Sequence, residues 1–233
     1  MRESAEQHAI APLMGKLWEP LSDEERQTFI QQLGVMHCDA QQTIFSRGDV
    51  PTYLYYLIEG RVTIYSGEKG ANELIVRMVE PGSIFGMQAA FTGIGQHSTT
   101  AIGEEGSVVA YLPLQLVYHL IWEKPAYAML FIRELSELLG TSVNYTIHLT
   151  QKNIRGRLAE SLLRMKKKYG VEDDGQTLPI YLSRNDLAMM SNMSTSNAIR
   201  TLSSFVSEGI VAFNGRKIRI LNEEALLTAS RLC

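Results

Sequence analysis

From Pro125 onward, apolar residues recur at three- and four-residue steps: Ala128, Phe131 or Ile132, Leu135, Leu138 or Leu139, Ser142 or Val143, and Ile147. The pattern predicts a helix of about 25 residues, or about 37 Å at 1.5 Å per residue. One small domain cannot cover so long a seam. A second copy of the same helix can, as a parallel coiled coil in a homodimer. The expected interface is Ala128, Phe131, Leu135, Leu138, Leu139, Val143 and Ile147. The alternative is a helix lying across its own domain. Gly140 in its interior weakens the helix but permits a partner to approach closely.

The sequence on either side of this helix differs in kind. Between about residues 41 and 112 it consists of short Val-, Ile-, Tyr- and Thr-rich runs separated by Gly-containing turns, as in YLYYLIEGRVTIYSGEKG, NELIVRMVEPGSIFG and STTAIGEEGSVVAYLP. This reads as antiparallel β-structure in a small barrel, roll or sandwich. Glu59-Gly60 is expected to close a hairpin and Pro81-Gly82 to mark another reversal. Ahead of the strands, LSDEERQTFIQQL predicts a short helix capped by Ser22, with Glu25 completing a capping box. After the long helix the pattern stays helical almost to the end. The expected organisation is a β-domain over 1–124, the long helix over 125–150 and a helical domain over 151–233.

Charge follows the same division. Residues 1–150 carry 9 Lys/Arg against 17 Asp/Glu, and residues 151–233 carry 13 against 8, giving −8 and +5. A basic end joined to an acidic one suits a protein that meets a polyanion such as DNA at one end only.

The basic end carries the sharper signal. In SRNDLAMMSNMSTSNAIRTLSSFVSEG, Ser183 and Asp186 form one capping box, and Ser194 caps a second helix from Thr195 to about Ser207. Two short helices joined by so tight a turn give a helix-turn-helix whose second helix can enter the major groove. On that helix Ile199, Leu202, Phe205 and Val206 are expected to point inward, leaving Thr195, Ser196, Asn197 and Arg200 outside. Arg can bind guanine bidentately, Asn can bind adenine, and short hydroxyls can reach bases or phosphates. Gly209 ends the helix, and GIVAFNGRKIRIL predicts a strand, an Asn214-Gly215 turn and a second strand. Arg216, Lys217 and Arg219 would then form a basic wing against phosphate. The residues expected to meet DNA are Arg184, Ser194, Thr195, Ser196, Asn197, Arg200, Arg216 and Lys217.

These elements, together with YLIEGRVTIY, PGSIFGM and IRGRLAESLL, make the chain resemble the Crp/Fnr family of regulators. The resemblance implies an α+β protein: an N-terminal antiparallel β-roll like a cyclic-nucleotide-binding domain, a long dimerisation helix and a C-terminal winged helix-turn-helix. It implies a homodimeric transcription regulator that binds a palindromic site, works with RNA polymerase in the cytoplasm and responds to an effector in the roll. The effector pocket would comprise Gly86, Met87, Gln88, His97, Ser98, Thr99 and, on the long helix, Ser142. Cyclic-nucleotide members carry Glu and Arg where this chain has Met87 and His97. Losing a carboxylate contact and a phosphate contact removes roughly 1.5 to 3 kcal/mol each. Cyclic AMP is therefore not the expected effector, and some other small molecule is. The family's recognition helices often carry Arg-Glu where this chain has Thr195-Ser196, which places its target half-site apart.

Two alternatives stand beside this reading: a DNA-binding repressor or activator without an effector, and a haem-based gas sensor in which His97, His37 or Cys38 supplies an axial ligand. Other chemistry finds no support. Cys38 and Cys233 form no CxxC pair, which argues against a disulfide framework, a zinc site and a four-cysteine iron-sulfur cluster. The five histidines, at 8, 37, 97, 119 and 148, are scattered, so no metal is expected. There is no GxSxG, P-loop or dinucleotide fingerprint, and no catalysis is expected. The apolar runs fall short of the roughly 20 residues a membrane span needs.

Overall fold

A computed structural model describes residues 2–68, 71–93, 95–215 and 217–231. It forms two compact units, Met1–Leu139 and Gly140–Cys233.

In the first unit α1 (Arg2–Ile10), a 3₁₀ segment (Ala11–Leu17) and α2 (Asp23–Gln32) precede eight strands: β1 (Gly34–His37), β2 (Gln42–Phe45), β3 (Tyr53–Glu59), β4 (Val62–Glu68), β5 (Ala71–Val79), β6 (Ile84–Phe85), β7 (Thr100–Gly103) and β8 (Val108–Pro113). The short α3 (Met87–Phe91) sits between β6 and β7, and α4 (Leu114–Glu123) and α5 (Pro125–Gln151) follow β8. The capping box at the start of α2 forms as expected, with the Ser22 side chain accepting from the Glu25 amide and the Glu25 carboxylate accepting from the Ser22 amide. The strands build two antiparallel sheets, in the orders β1-β8-β3-β6 and β2-β7-β4-β5.

Side-chain alternation along β3 divides the hydrophobic interior in two. Tyr55 and Leu57 join Phe45, Val62, Ile64, Phe85, Ala101 and Val109 between the sheets. Leu54 and Tyr56 point to the other face, against Met14, Leu17, Phe29, Leu33 and residues of α4 and α5. Both faces of this strand are covered, which explains its nearly unbroken apolar run.

The Glu59-Gly60 hairpin expected from sequence does not form. β3 pairs with β6 and β8, whereas β4 pairs with β5 and β7. Gly60 is instead the corner at which the chain leaves one sheet for the other. It has φ +82°, and a Cβ there would lie 2.7 Å from the Ser107 Cα. The Ser107 hydroxyl locks the corner by donating to the Arg61 carbonyl and accepting from the Arg61 amide.

The long helix α5 has 27 residues. Its inward face differs from expectation: Tyr127 and Phe131 are buried in the first unit's core, and Leu135 packs on it. Phe131 is therefore not free to form an interface, and Ala128, Leu135 and Leu138 are only partly exposed. Among the described residues, the large exposed apolar side chains of α5 are Met129, Ile132, Leu139, Val143 and Ile147.

The second unit holds the rest of α5, then α6 (Ile154–Tyr169), α7 (Arg184–Met190), α8 (Thr195–Ser207), β9 (Val211–Asn214), β10 (Lys217–Ile220) and α9 (Glu223–Ser230). Its buried residues include Leu158, Leu162, Met165, Leu187, Leu202, Phe205, Ile218 and Leu226.

Gly60→Ala should destabilise the first unit by about 1 to 3 kcal/mol, because a Cβ at positive φ meets Ser107. Urea unfolding followed by far-UV circular dichroism reads this. An unchanged midpoint would show that the corner can relax.

Candidate nucleic-acid interface and ligand recess

Helix α7 starts at the predicted capping box, with the Ser183 hydroxyl on the Asp186 amide at 3.0 Å and the Asp186 carboxylate on the Ser183 amide at 2.8 Å. Asn192 turns the chain at φ +48°, a conformation that Asn tolerates better than most residues. Ser194 then caps α8 through the Asn197 amide. Both ends of α8 are pinned. Near its start the Thr195 hydroxyl donates to the Asn185 side chain at 3.1 Å. Near its end Arg155, from α6, bonds Ser204 and Glu208 and lies 4.5 Å over the Phe205 ring. The Arg155 hydrogen bond also holds the Glu208 carboxyl below its ordinary range.

The buried residues of α8 are Ala198, Leu202 and Phe205. Ile199 and Val206, expected inside, are exposed. Leu202 and Phe205 are buried as expected, and Ala198 takes the third inward position in place of Ile199 and Val206. Its open face carries Ser196, Ile199, Arg200 and Ser203, with Thr195 and Asn197 partly exposed beside them.

Asn214 pairs with Lys217 across the turn that joins β9 to β10, and Gly215 has φ +60°, as an Asn-Gly hairpin requires. Arg216 lies outside the described residues, as does Cys233. The other cations of the expected wing are engaged within the protein. Lys217 is ion-paired with Glu172, whose hydrogen bond raises the ammonium above its ordinary pKa. Arg219 bonds Gln176 at 3.0 Å and lies 3.6 Å from Asp174. Asp174 is held down to about 2, first by the Thr177 hydroxyl and then by the Thr177 and Gln176 amides. Arg184 stacks 4.0 Å over the ring of Phe213 in β9. The acidic stretch after α6 is thus a counter-charge for the wing.

In the first unit a recess of about 260 Å³ is lined by Arg47, Gly48, Gln88, Ala89, Thr92, Gln96, His97 and Ser98. Of the expected pocket residues it gathers Gln88, His97 and Ser98. Gly86 sits instead at the start of α3 with φ +78°, where a Cβ would press on the Tyr55 ring. Met87 is buried in the core shared with Leu54 and Tyr56, because α3 turns its side chain away from the recess. Thr99 is not among the lining residues, and Ser142 is an exposed residue of α5 in the other unit.

His97 lies flat on Phe45, with ring centroids 3.9 Å apart, and burial pushes its pKa down while Asp49 opposes the shift. Its backbone joins the 46–49 turn, accepting from the Gly48 amide and donating to the Asp49 carbonyl. That turn delivers Arg47, which no local pattern could have linked to His97; only the pairing of β2 with β7 brings the two together. Of the other proposed haem ligands, His37 is exposed and bonded to Glu6, and Cys38 is a buried thiol raised in pKa chiefly by burial. Among the described residues no three His, Cys, Asp or Glu side chains cluster as metal ligands, and no helix is long and apolar enough to cross a membrane.

Family models match both units: one for the cyclic nucleotide-binding domain over residues 35–123, and one for the Crp-like helix-turn-helix domain over 156–229. The CRP-like cAMP-activated global transcriptional regulator of Mycobacterium tuberculosis is 24% identical over 191 residues, 81% of this chain and 84% of its own. The chain belongs to the Crp/Fnr family.

The fumarate and nitrate reduction regulatory protein of Escherichia coli K12 is likewise 24% identical, over 79% of this chain and 74% of its own. A solved Crp/Fnr family regulator from Eubacterium rectale shares the fold at a TM-score of 0.76, with 18% identity, over 94% of this chain and 99% of its own. These relatives are transcriptional regulators, and this Crp/Fnr chain is a DNA-binding transcriptional regulator of the same type.

Because Lys217 must exchange Glu172 for a phosphate before it can add to DNA affinity, Glu172→Gln should tighten binding to random duplex. It should also steepen the dependence of log K on log salt by about 0.9, the increment for one phosphate contact. Fluorescence anisotropy across a salt series measures both. An unchanged slope would mean that Lys217 stays off the backbone.

Proposed function

We propose that this Crp/Fnr regulator is a homodimer that binds a palindromic site through α8 of each copy and is governed by a small effector other than cyclic AMP. The observation that carries the proposal is the stripe on α5. Met129, Ile132, Leu139, Val143 and Ile147 are each between 42% and 65% exposed. Spaced by three, seven, four and four, they line one side of the helix. A continuous stripe of large apolar side chains marks an interaction surface, and the identical stripe of a second copy is its natural complement. Two copies joined along α5 carry two recognition helices, as a palindrome requires. RNA polymerase is the partner through which such a regulator acts, in the cytoplasm where DNA and polymerase meet.

The three-part organisation, with the roll as sensor (1–124), the helix as dimer contact (125–150) and the C-terminal part as DNA reader (151–233), belongs to the same proposal. So do the assignments of Arg184, Ser194, Thr195, Ser196, Asn197 and Arg200 to DNA. The effector's place is the recess beside His97. It offers the guanidinium of Arg47 with the amides of Gln88 and Gln96 and the hydroxyls of Thr92 and Ser98, a set suited to a small polar ligand bearing negative charge.

Leu139→Glu combined with Val143→Glu should give a monomer by analytical ultracentrifugation and weaken binding to the selected palindromic duplex at least tenfold. A wild-type protein that sediments as a monomer would overturn the dimer. For the effector, thermal unfolding is the readout. Cyclic AMP should leave the midpoint unmoved, whereas a ligand at 100 times its Kd adds about 2.7 kcal/mol of apparent stability. Arg47→Ala should abolish that response, and stabilisation by cyclic AMP would overturn the exclusion.

A further inference from the structure

We propose that Ile199 reads the 5-methyl group of a thymine in each half-site. The inference rests on the reading that α8 enters the major groove, and it concerns a residue the sequence had placed in the core. Ile199 is 48% exposed. At about 100° per residue, Ser196 and Ser203 lie one turn before and one turn after it on the same face, and Arg200 lies beside it; all three are exposed. An apolar, β-branched side chain thus stands among hydrogen-bonding ones over the first turns of α8, with the exposed Val206 two turns further on. It cannot turn inward. Ala198 fills the inward position, and the helix is held at one end by Thr195 on Asn185 and at the other by Arg155 on Ser204 and Glu208.

The major-groove edge of DNA presents one apolar group, the thymine methyl; every other feature is a hydrogen-bond donor or acceptor. A rigid Ile set between Ser196 and Arg200 complements a thymine next to bases read by hydrogen bonds. It is a poor match for a cytosine, whose exocyclic amine it would desolvate without a partner.

The test uses the full-length protein and a duplex selected from a random pool, in which each thymine is replaced singly by deoxyuridine. That exchange deletes the methyl and leaves base pairing intact. At one thymine per half-site, wild-type affinity should fall about fourfold, the worth of one buried carbon. Ile199→Ala should bind the thymine and uracil duplexes equally. Circular dichroism and thermal unfolding establish that this surface variant is folded. The proposal is overturned if the wild type does not distinguish uracil from thymine anywhere, or if Ile199→Ala retains the same ratio. Arg200→Ala separates this failure from failure of the underlying reading. If it loses preference for the selected duplex while no uracil effect appears, α8 reads bases without Ile199. If neither variant changes that preference, α8 does not read the bases at all.

Discussion

The orientation of α5 rests on two buried tyrosine hydroxyls. Tyr127 donates to the Leu17 carbonyl at 2.6 Å within the first unit, and Tyr145 donates to the Met190 carbonyl at 3.0 Å within the second. Burial pushes both phenols up in pKa, Tyr145 to about 12, so both remain neutral donors. Each bond contributes about 1 kcal/mol net, and the Met190 carbonyl also accepts from the Ser161 hydroxyl at 3.4 Å. Helical phase then dictates the rest. At about 100° per residue, Met129, Ile132, Leu139, Val143 and Ile147 all fall on the side of α5 away from Tyr127. The exposed stripe is thus a consequence of where the tyrosines are tied down. The same bond at Met190 touches the last residue of α7, so within the second unit the end of α5 and the helix-turn-helix share one contact.

What the sequence showed, and what it hid, divides along the range of the interactions. The capping boxes at Ser22 and Ser183, the Ser194 cap and the Asn214-Gly215 turn are interactions between residues one to three apart, and all were legible. Gly60 was recognised as a turn but assigned to the wrong object, because whether consecutive strands share a sheet depends on β7 and β8, some forty residues away. On α8 the large apolar residues Ile199 and Val206 suggest a buried seam, whereas the small Ala198 occupies the core position. The same bias misplaced part of the α5 interface: Phe131 looks like a seam residue but belongs to the core of the roll. At the recess, matching positions found His97 and Ser98, but a side chain's direction does not follow from its position. Met87 faces the opposite core, and Arg47 arrives from the turn after β2.

The charge asymmetry deserves a similar correction in physical terms. A net of +5 over residues 151–233 suggests a basic surface ready for phosphate, yet Lys217 and Arg219 already face Glu172 and Asp174. Arg155 and Lys166 are paired with Glu208 and Glu223 in the same way. Such exposed pairs are individually weak and screened by salt, so they do little for stability. They do set the reference state for DNA binding, because each phosphate contact made by one of these cations replaces a carboxylate rather than water. Net charge therefore overstates the attraction available to non-specific DNA and, on the proposed reading, leaves a larger share of recognition to α8.

That share is small for a single copy. Over its first turns the open face of α8 offers two serines, one isoleucine and one arginine, with Thr195 and Asn197 partly exposed beside them. A good bidentate contact discriminates by about 1 to 3 kcal/mol, whereas specific sites are typically about 4 to 10 kcal/mol better than random DNA. One helix with a single guanidinium and one methyl contact falls at or below the bottom of that range. Two helices reading matched half-sites double the discrimination, and the link between them makes the second engagement intramolecular. A sparse recognition face and an uncovered apolar stripe on α5 are therefore two sides of one requirement. Widening the recognition helix's vocabulary would lessen the need for a partner, and with so short a vocabulary the proposed second copy supplies what a single reader lacks.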